Sequence, residues 1–121
     1  MSVFLELPEN RIIYKGNHFF IVRDIYPVSP GHSLIISNEL KVDYFQLSEE
    51  EKQELNIMIA KAKKLVEQEF SPDGYNIGMN CGEYAGQTVM HFHCHLIPRF
   101  KGDMENPSGG VRHCIQGKGY Y

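Results

Sequence analysis

From His91 to Ile97 the chain reads His-Phe-His-Cys-His-Leu-Ile, an alternation of imidazole and apolar side chains. In an extended strand successive side chains leave on opposite faces, so His91, His93 and His95 share one face while Phe92, Cys94 and Leu96 occupy the other. The spacing therefore predicts a strand over Val89 to Arg99, with an apolar face that needs a cover and a histidine face that looks outward into a site. At a rise of about 3.3 Å per residue the three imidazoles fall within about 13 Å.

The cover is legible upstream. Ser48 and Glu51 form a capping-box pattern, and Glu49 and Glu50 suit the positive end of a helix dipole. Leu55, Met58, Ile59, Ala62, Leu65, Val66 and Phe70 follow at helical spacing, with Glu69 the one charged residue on that stripe. This predicts a helix to Phe70, stopped by Ser71-Pro72-Asp73-Gly74 and about 33 Å long. β-branched and aromatic runs at Arg11 to Lys15 and Phe19 to Asp24, separated by Gly16-Asn17, read as a hairpin. His32 to Ser37 reads as a third strand, entered through Pro27-Val28-Ser29-Pro30-Gly31. Tyr75 to Asn80 adds a fourth, joined to the histidine strand by residues 81–88, where Gly82 and Gly86 permit close backbone approach to a ligand. Five strands and one long helix indicate an α+β fold with a mostly antiparallel sheet.

The chain has 121 residues, enough for one core, so residues 1–121 are read as one domain. Residues 1–10 form an N-terminal segment and 100–121 an irregular tail. Twelve Lys and Arg against 15 Asp and Glu leave a net charge of −3, so no global field attracts a nucleic-acid backbone. No apolar run approaches the roughly 20 residues a bilayer requires, and no secretion signal is visible, so no membrane partner and a cytoplasmic location are expected. Cys81, Cys94 and Cys114 lack a CxxC pair and read as small apolar residues in a reducing compartment.

Three chemistries compete for the histidine row. It can be a solvated face, a zinc site, or a nucleophilic centre in which one neutral imidazole attacks an electrophile while its neighbours orient it and bind developing charge. No thiolate pair, HExxH motif or acidic ligand cluster accompanies the row, so no bound metal is expected.

His91-Phe92-His93-Cys94-His95-Leu96-Ile97 resembles the signature of the histidine-triad (HIT) family, and the likeness covers about Arg11 to Gly102. Asp24 to His32 is similar to the family's acidic or amide residue eight positions before a loop histidine. Ala85-Gly86-Gln87-Thr88-Val89 and Leu96-Ile97-Pro98-Arg99 are similar to the fragile-histidine-triad branch of dinucleoside polyphosphate hydrolases, whereas Asp24 is the choice of the Hint branch.

The resemblance implies a HIT fold with an additional short helix. It also implies nucleotidyl transfer at the α-phosphorus through a covalent nucleotidyl-imidazole. His93 would be the nucleophile, its other ring nitrogen held by a backbone carbonyl. His95 would contact the phosphoryl group or the bridging oxygen, with His91 and His32 supporting the row. Asn80, Gln87 and Thr88 match phosphate-binding positions, with loop capping as the alternative for each. Asp24 matches the ribose contact, with a turn residue as its alternative, and Val22 and Ile25 can line a base pocket or belong to the core. Arg99, Lys101, Arg112 and Lys118 can meet distal phosphates or simply be solvated.

The implied substrate is a purine nucleotide, first a diadenosine polyphosphate, with a divalent cation accompanying the polyphosphate and no resident cofactor. The alternatives are a purine nucleoside phosphoramidate or acyl-adenylate, and a non-catalytic nucleotide-binding module. A homodimer is expected from the resemblance and from the free edge of an antiparallel sheet.

Overall fold

A computed structural model describes residues 2–121. Its strands are β1 (Ile12–Lys15), β2 (Phe19–Arg23), β3 (Ser33–Ser37), β4 (Gly74–Gly78) and β5 (His93–Arg99), with the helix α1 (Glu49–Glu67) between β3 and β4. The sheet order is β1-β2-β3-β5-β4 and every neighbouring pair is antiparallel. This is the antiparallel α+β arrangement expected of the sequence. The expected short helix takes the form of 3-10 turns, at Val3–Glu6, Tyr44–Gln46 and Gly110–Cys114 among others. Among the described residues no helix is long and apolar enough to cross a membrane.

The capping box closes as read: the Glu51 amide donates to Ser48 Oγ (3.1 Å) and the Ser48 amide donates to Glu51 Oε1 (2.8 Å). The helix stops three residues earlier than its apolar stripe suggests. Beyond Glu67 the amides of Glu69 and Phe70 both turn back to the Val66 carbonyl. Phe70 leaves the helix to pack beside Gly31, where its ring and the Pro98 ring crowd the glycine. Apolar periodicity reports burial, and here the last member is half-buried against a loop instead of along the helix axis.

One core lies between α1 and the sheet, with Phe19, Ile21, Ile35, Phe92, Cys94 and Leu96 facing Leu55, Met58, Ala62 and Val66. Each Val, Leu, Ile, Phe and Met side chain among them contributes about 1.5–3 kcal/mol by leaving water. The opposite face carries a second cluster, Phe20, Val22, Leu34 and Ile36, roofed by Phe4 and Leu7 of the N-terminal segment and by Ile12 at the start of β1. All five residues of β3 are buried, because this central strand is covered on both faces. The histidines of β5 extend this second face, since His93 pairs with Ile36 and His95 with Leu34. Of the cysteines, Cys94 is core, Cys81 half-buried and Cys114 exposed, so the small-apolar reading fails for Cys114.

Candidate active site

β5 begins at His93, so the strand is shorter than expected and His91 lies outside it. The cause is the end of β3: beyond Ser37 no neighbour continues the ladder, and the Phe92 amide pairs instead with the Lys41 carbonyl (2.6 Å). His91 therefore lies just beyond the hydrogen-bonded strand, although one ring, Phe4, meets both it and His93. The His91 ring is 0% exposed and its Nε2–H donates to the Ser37 carbonyl (2.7 Å), leaving Nδ1 buried with no hydrogen-bond partner among the described residues. Its backbone does the positioning. The His91 carbonyl accepts from His93 Nδ1 (2.8 Å), so the neutral His93 ring keeps its proton on Nδ1 and its lone pair on Nε2.

A second chain of bonds starts in the proline-bracketed loop. The Val28 amide can only donate, and it lies 3.2 Å from His32 Nδ1, so the neutral His32 ring carries its proton on Nε2. That nitrogen is 2.9 Å from His95 Nδ1, which must then accept, placing the His95 proton on its own Nε2. His32 is 3% exposed, and the loop holding it is pinned where Ser29 Oγ donates to the Pro98 carbonyl (2.6 Å). Burial pushes His95 down to about 4, with the neighbouring His93 and His32 rings adding to the effect. His32 and His91 are also held below the usual histidine range by burial; Asp24 opposes the shift at His32, and the Ser37 carbonyl opposes it at His91. At neutral pH these three rings are uncharged, so each nitrogen is either donor or acceptor according to its neighbour.

Asp24 joins this group. Its amide donates to the His32 carbonyl (2.9 Å), its Oδ1 accepts from the Tyr26 amide (2.9 Å), and its Oδ2 lies 3.4 Å from His32 Nε2. Asp24, His32 and His95 bring donor atoms within 4.8 Å of one another, the spacing of a cation site. The Val28 amide argues against that use, because it keeps a proton on the His32 nitrogen that would have to ligate.

The other predicted residues are dispersed. Val22 is 1% exposed in the second core cluster, where it is roofed by the N-terminal segment, and Ile25 is 66% exposed on the loop. The two therefore form no common pocket in this arrangement; Val22 packs as core. Gln87 is buried with its amide committed to the loop, donating to the Val42 (2.6 Å) and Val89 (3.1 Å) carbonyls and accepting from the Gly82 amide (2.9 Å). It holds residues 81–88 in place and presents no free donor. Thr88 is exposed beside Ser2 and Val3, and Asn80 is exposed alongside Gly86.

Arg99 lies at the far end of β5. It forks onto the Asp103 carboxylate (2.8 Å from both Nε and Nη2) and donates through Nη1 to Asn76 Oδ1 (2.6 Å). Asp103 is held near 2 by that guanidinium. The paired charges line a cleft of about 330 Å³ with Ile97, Val28 and Met104, and leave little of the positive field expected there. Phe4 was not foreseen. Its ring meets His93 edge-on at 4.9 Å and His91 at 5.7 Å, closing one side of the site. The apolar Val3-Phe4-Leu5 run was its only signal in the sequence.

The HIT domain profile matches residues 6–102, the span containing the histidine strand, Asp24 and the loop histidine. The chain belongs to the HIT family. A purine nucleoside phosphoramidase of Escherichia coli is 41% identical over 93 residues, covering 76% of this HIT chain and 77% of its own. An AP-4-A phosphorylase of Mycobacterium tuberculosis is 30% identical over 106 residues, and this chain spans about half (54%) of its length. A solved HIT family protein from Bacillus anthracis superposes with a TM-score of 0.71 at 39% identity, covering 76% of this chain and 65% of that one.

Proposed function

We propose that this HIT protein cleaves nucleotides at the α-phosphorus through a covalent nucleotidyl-histidine on His93. What supports the reading is a pair of tautomers set by the backbone. The His91 carbonyl leaves a lone pair on His93 Nε2, and the Val28 amide acting through His32 leaves an N–H on His95 Nε2. The two rings lie 5.2 Å apart between centroids, so one phosphoryl group can meet both.

In the first step His93 Nε2 bonds to the α-phosphorus as the bond to the leaving group breaks. The leaving atom departs with its electron pair, accepting a hydrogen bond from His95 Nε2–H. The Nδ1–H of His93 stays on the His91 carbonyl, which stabilises the positive ring. Water then attacks the same phosphorus, the N–P bond breaks with its electrons returning to Nε2, and the water proton passes to solvent. The products are the nucleoside monophosphate and the leaving group.

A diadenosine polyphosphate is the first substrate to test, in keeping with the family's phosphorylase relative. A purine nucleoside phosphoramidate is the second reading, favoured by the 41% identity to the phosphoramidase and by the Arg99 charge being held on Asp103. The same pocket acting without turnover would make the protein a nucleotide-binding module. We read the active unit as a homodimer needing no bound metal.

The test is turnover of a panel of both substrate classes in excess chelator, with samples quenched for intact-mass spectrometry. An acid-labile nucleotidyl adduct is expected on the wild-type protein. His93→Asn should fold and bind AMP while losing at least about a thousandfold in kcat. Wild-type turnover by His93→Asn, or strict dependence on added zinc, sinks the reading.

A further inference from the structure

The face that carries His93 and His95 continues beyond them. Along β5 half-buried and buried residues alternate, so His93, His95, Ile97 and Arg99 share one face, with Arg99 about 13 Å along the strand from His95. Displacement at phosphorus is in line, so a group expelled by His93 Nε2 departs on the far side of the phosphorus, toward the His95 donor. Past His95 that direction meets Ile97 and the cleft of about 330 Å³. Val28, whose amide holds the His32 ring, is one wall of this cleft, which ties it to the same loop that sets the His95 tautomer.

The lining is of two kinds. Val28 (71% exposed) and Met104 (39% exposed) offer apolar surface together with Ile97, whereas Arg99, Asp103 and Asn76 supply polar groups. Arg99 has no charge to spare. Asp103 accepts its Nε–H and one Nη2–H, Asn76 accepts one Nη1–H, and the carboxylate, which also accepts the Phe100 amide (2.9 Å), stays ionised at neutral pH. The adjoining cleft of about 580 Å³ shares this pair and sets two cations, Arg99 and Lys101, against three carboxylates, Asp73, Asp103 and Glu105. A polyanionic leaving group would therefore meet no net positive field here. An uncharged one would cover the apolar walls and could accept the two guanidinium hydrogens that these bonds leave over.

We propose that this cleft is the subsite for the leaving group, and that Asp103, by neutralising Arg99, makes it select uncharged leaving groups over anionic ones. The proposal deepens the nucleotidyl-transfer reading and rests on it. Asp103 acts through Arg99 and touches none of the reacting atoms, so it is a positioning residue that sets specificity on the far side of the broken bond.

Two aryl esters of AMP isolate the charge. The 4-sulfamoylphenyl and 4-sulfophenyl esters release phenols of similar acidity, size and shape, and differ in that the second carries an anionic sulfonate. The wild-type protein should favour the neutral ester in kcat/KM by about fivefold or more, with the preference shrinking toward one as ionic strength rises. Asp103→Asn keeps an acceptor for Arg99 and for the Phe100 amide while removing the negative charge. It should raise kcat/KM for the sulfonate ester about fivefold or more and change the sulfamoyl ester less than about twofold. Arg99→Gln leaves the carboxylate uncompensated and should move the ratio the other way, a pair of opposite shifts that loss of structure does not produce. A ratio that is the same in all three proteins, or that moves the same way in both variants, overturns the subsite and leaves the His93 chemistry intact. Turnover of neither ester by the wild-type protein overturns both.

Discussion

A histidine becomes a nucleophile or a donor according to which of its nitrogens is protonated, and in this site backbone groups make that choice. The His91 carbonyl and the Val28 amide are partners whose roles cannot reverse, so His93 and His95 receive opposite tautomers although they sit two residues apart on one strand. Burial keeps His95 neutral by lowering it from 6.5 to about 4. This has a consequence for stability. Between those two values the unfolded chain binds more protons than the folded one, so the stability is fully present above about pH 6.5, falls as the pH drops toward 4, and levels off below. With the partly exposed ring allowed for, His95 accounts for about 2 kcal/mol of that loss. Thermal melts should show Tm falling across this window, and His95→Gln should flatten the slope without abolishing it, because His32 and His91 are shifted the same way. An unchanged slope in His95→Gln would place the titration elsewhere.

Among the elements, the loop from Pro27 to Gly31 matters most for the site, since it supplies the Val28 amide and leads into His32. Its geometry depends on Gly31, at φ +87°, where an added Cβ would lie 3.1 Å from Phe70 Cδ2 and 3.3 Å from Pro98 Cγ. Gly31→Ala should cost about 2 kcal/mol through the left-handed backbone and the crowding, and should lower kcat by moving the His32 support. Ser48→Ala is the contrast. It removes one arm of the capping box, at the start of the helix, and should cost about 1 kcal/mol with kcat of the folded protein unchanged. Chemical denaturation paired with kinetics checks both, and equal effects on kcat would show that the loop has no special hold on the site.

For the whole molecule, the sheet leaves two edges, β1 and β4, and β4 carries an exposed Ile77. An unpaired edge with an apolar side chain is a surface that pairing or coverage stabilises. The proposed homodimer predicts a light-scattering mass of twice the 13.9 kDa chain in the micromolar range, and a concentration-independent 13.9 kDa there would refute it. The N-terminal segment also acts at this scale. By roofing the second core cluster and placing Phe4 against His91 and His93, it makes a part of the chain that carries no motif into a wall of the site.

Local rules in the sequence were sufficient for the α+β fold, for the capping box at Ser48 and for the apolar reverse of β5, because period and capping act between residues close along the chain. Motif resemblance was sufficient for the family. Tertiary structure decided what lies between segments. It excluded His91 from the strand, since β3 ends at Ser37 and offers no further ladder; it ended α1 at Glu67, since Phe70 packs under the loop; and it tied Gln87 and Arg99 into the protein's own hydrogen bonds. The histidine tautomers belong to the same class. They depend on one backbone amide and one backbone carbonyl, groups present at nearly every residue, which become specific only when folding aims them at a ring nitrogen.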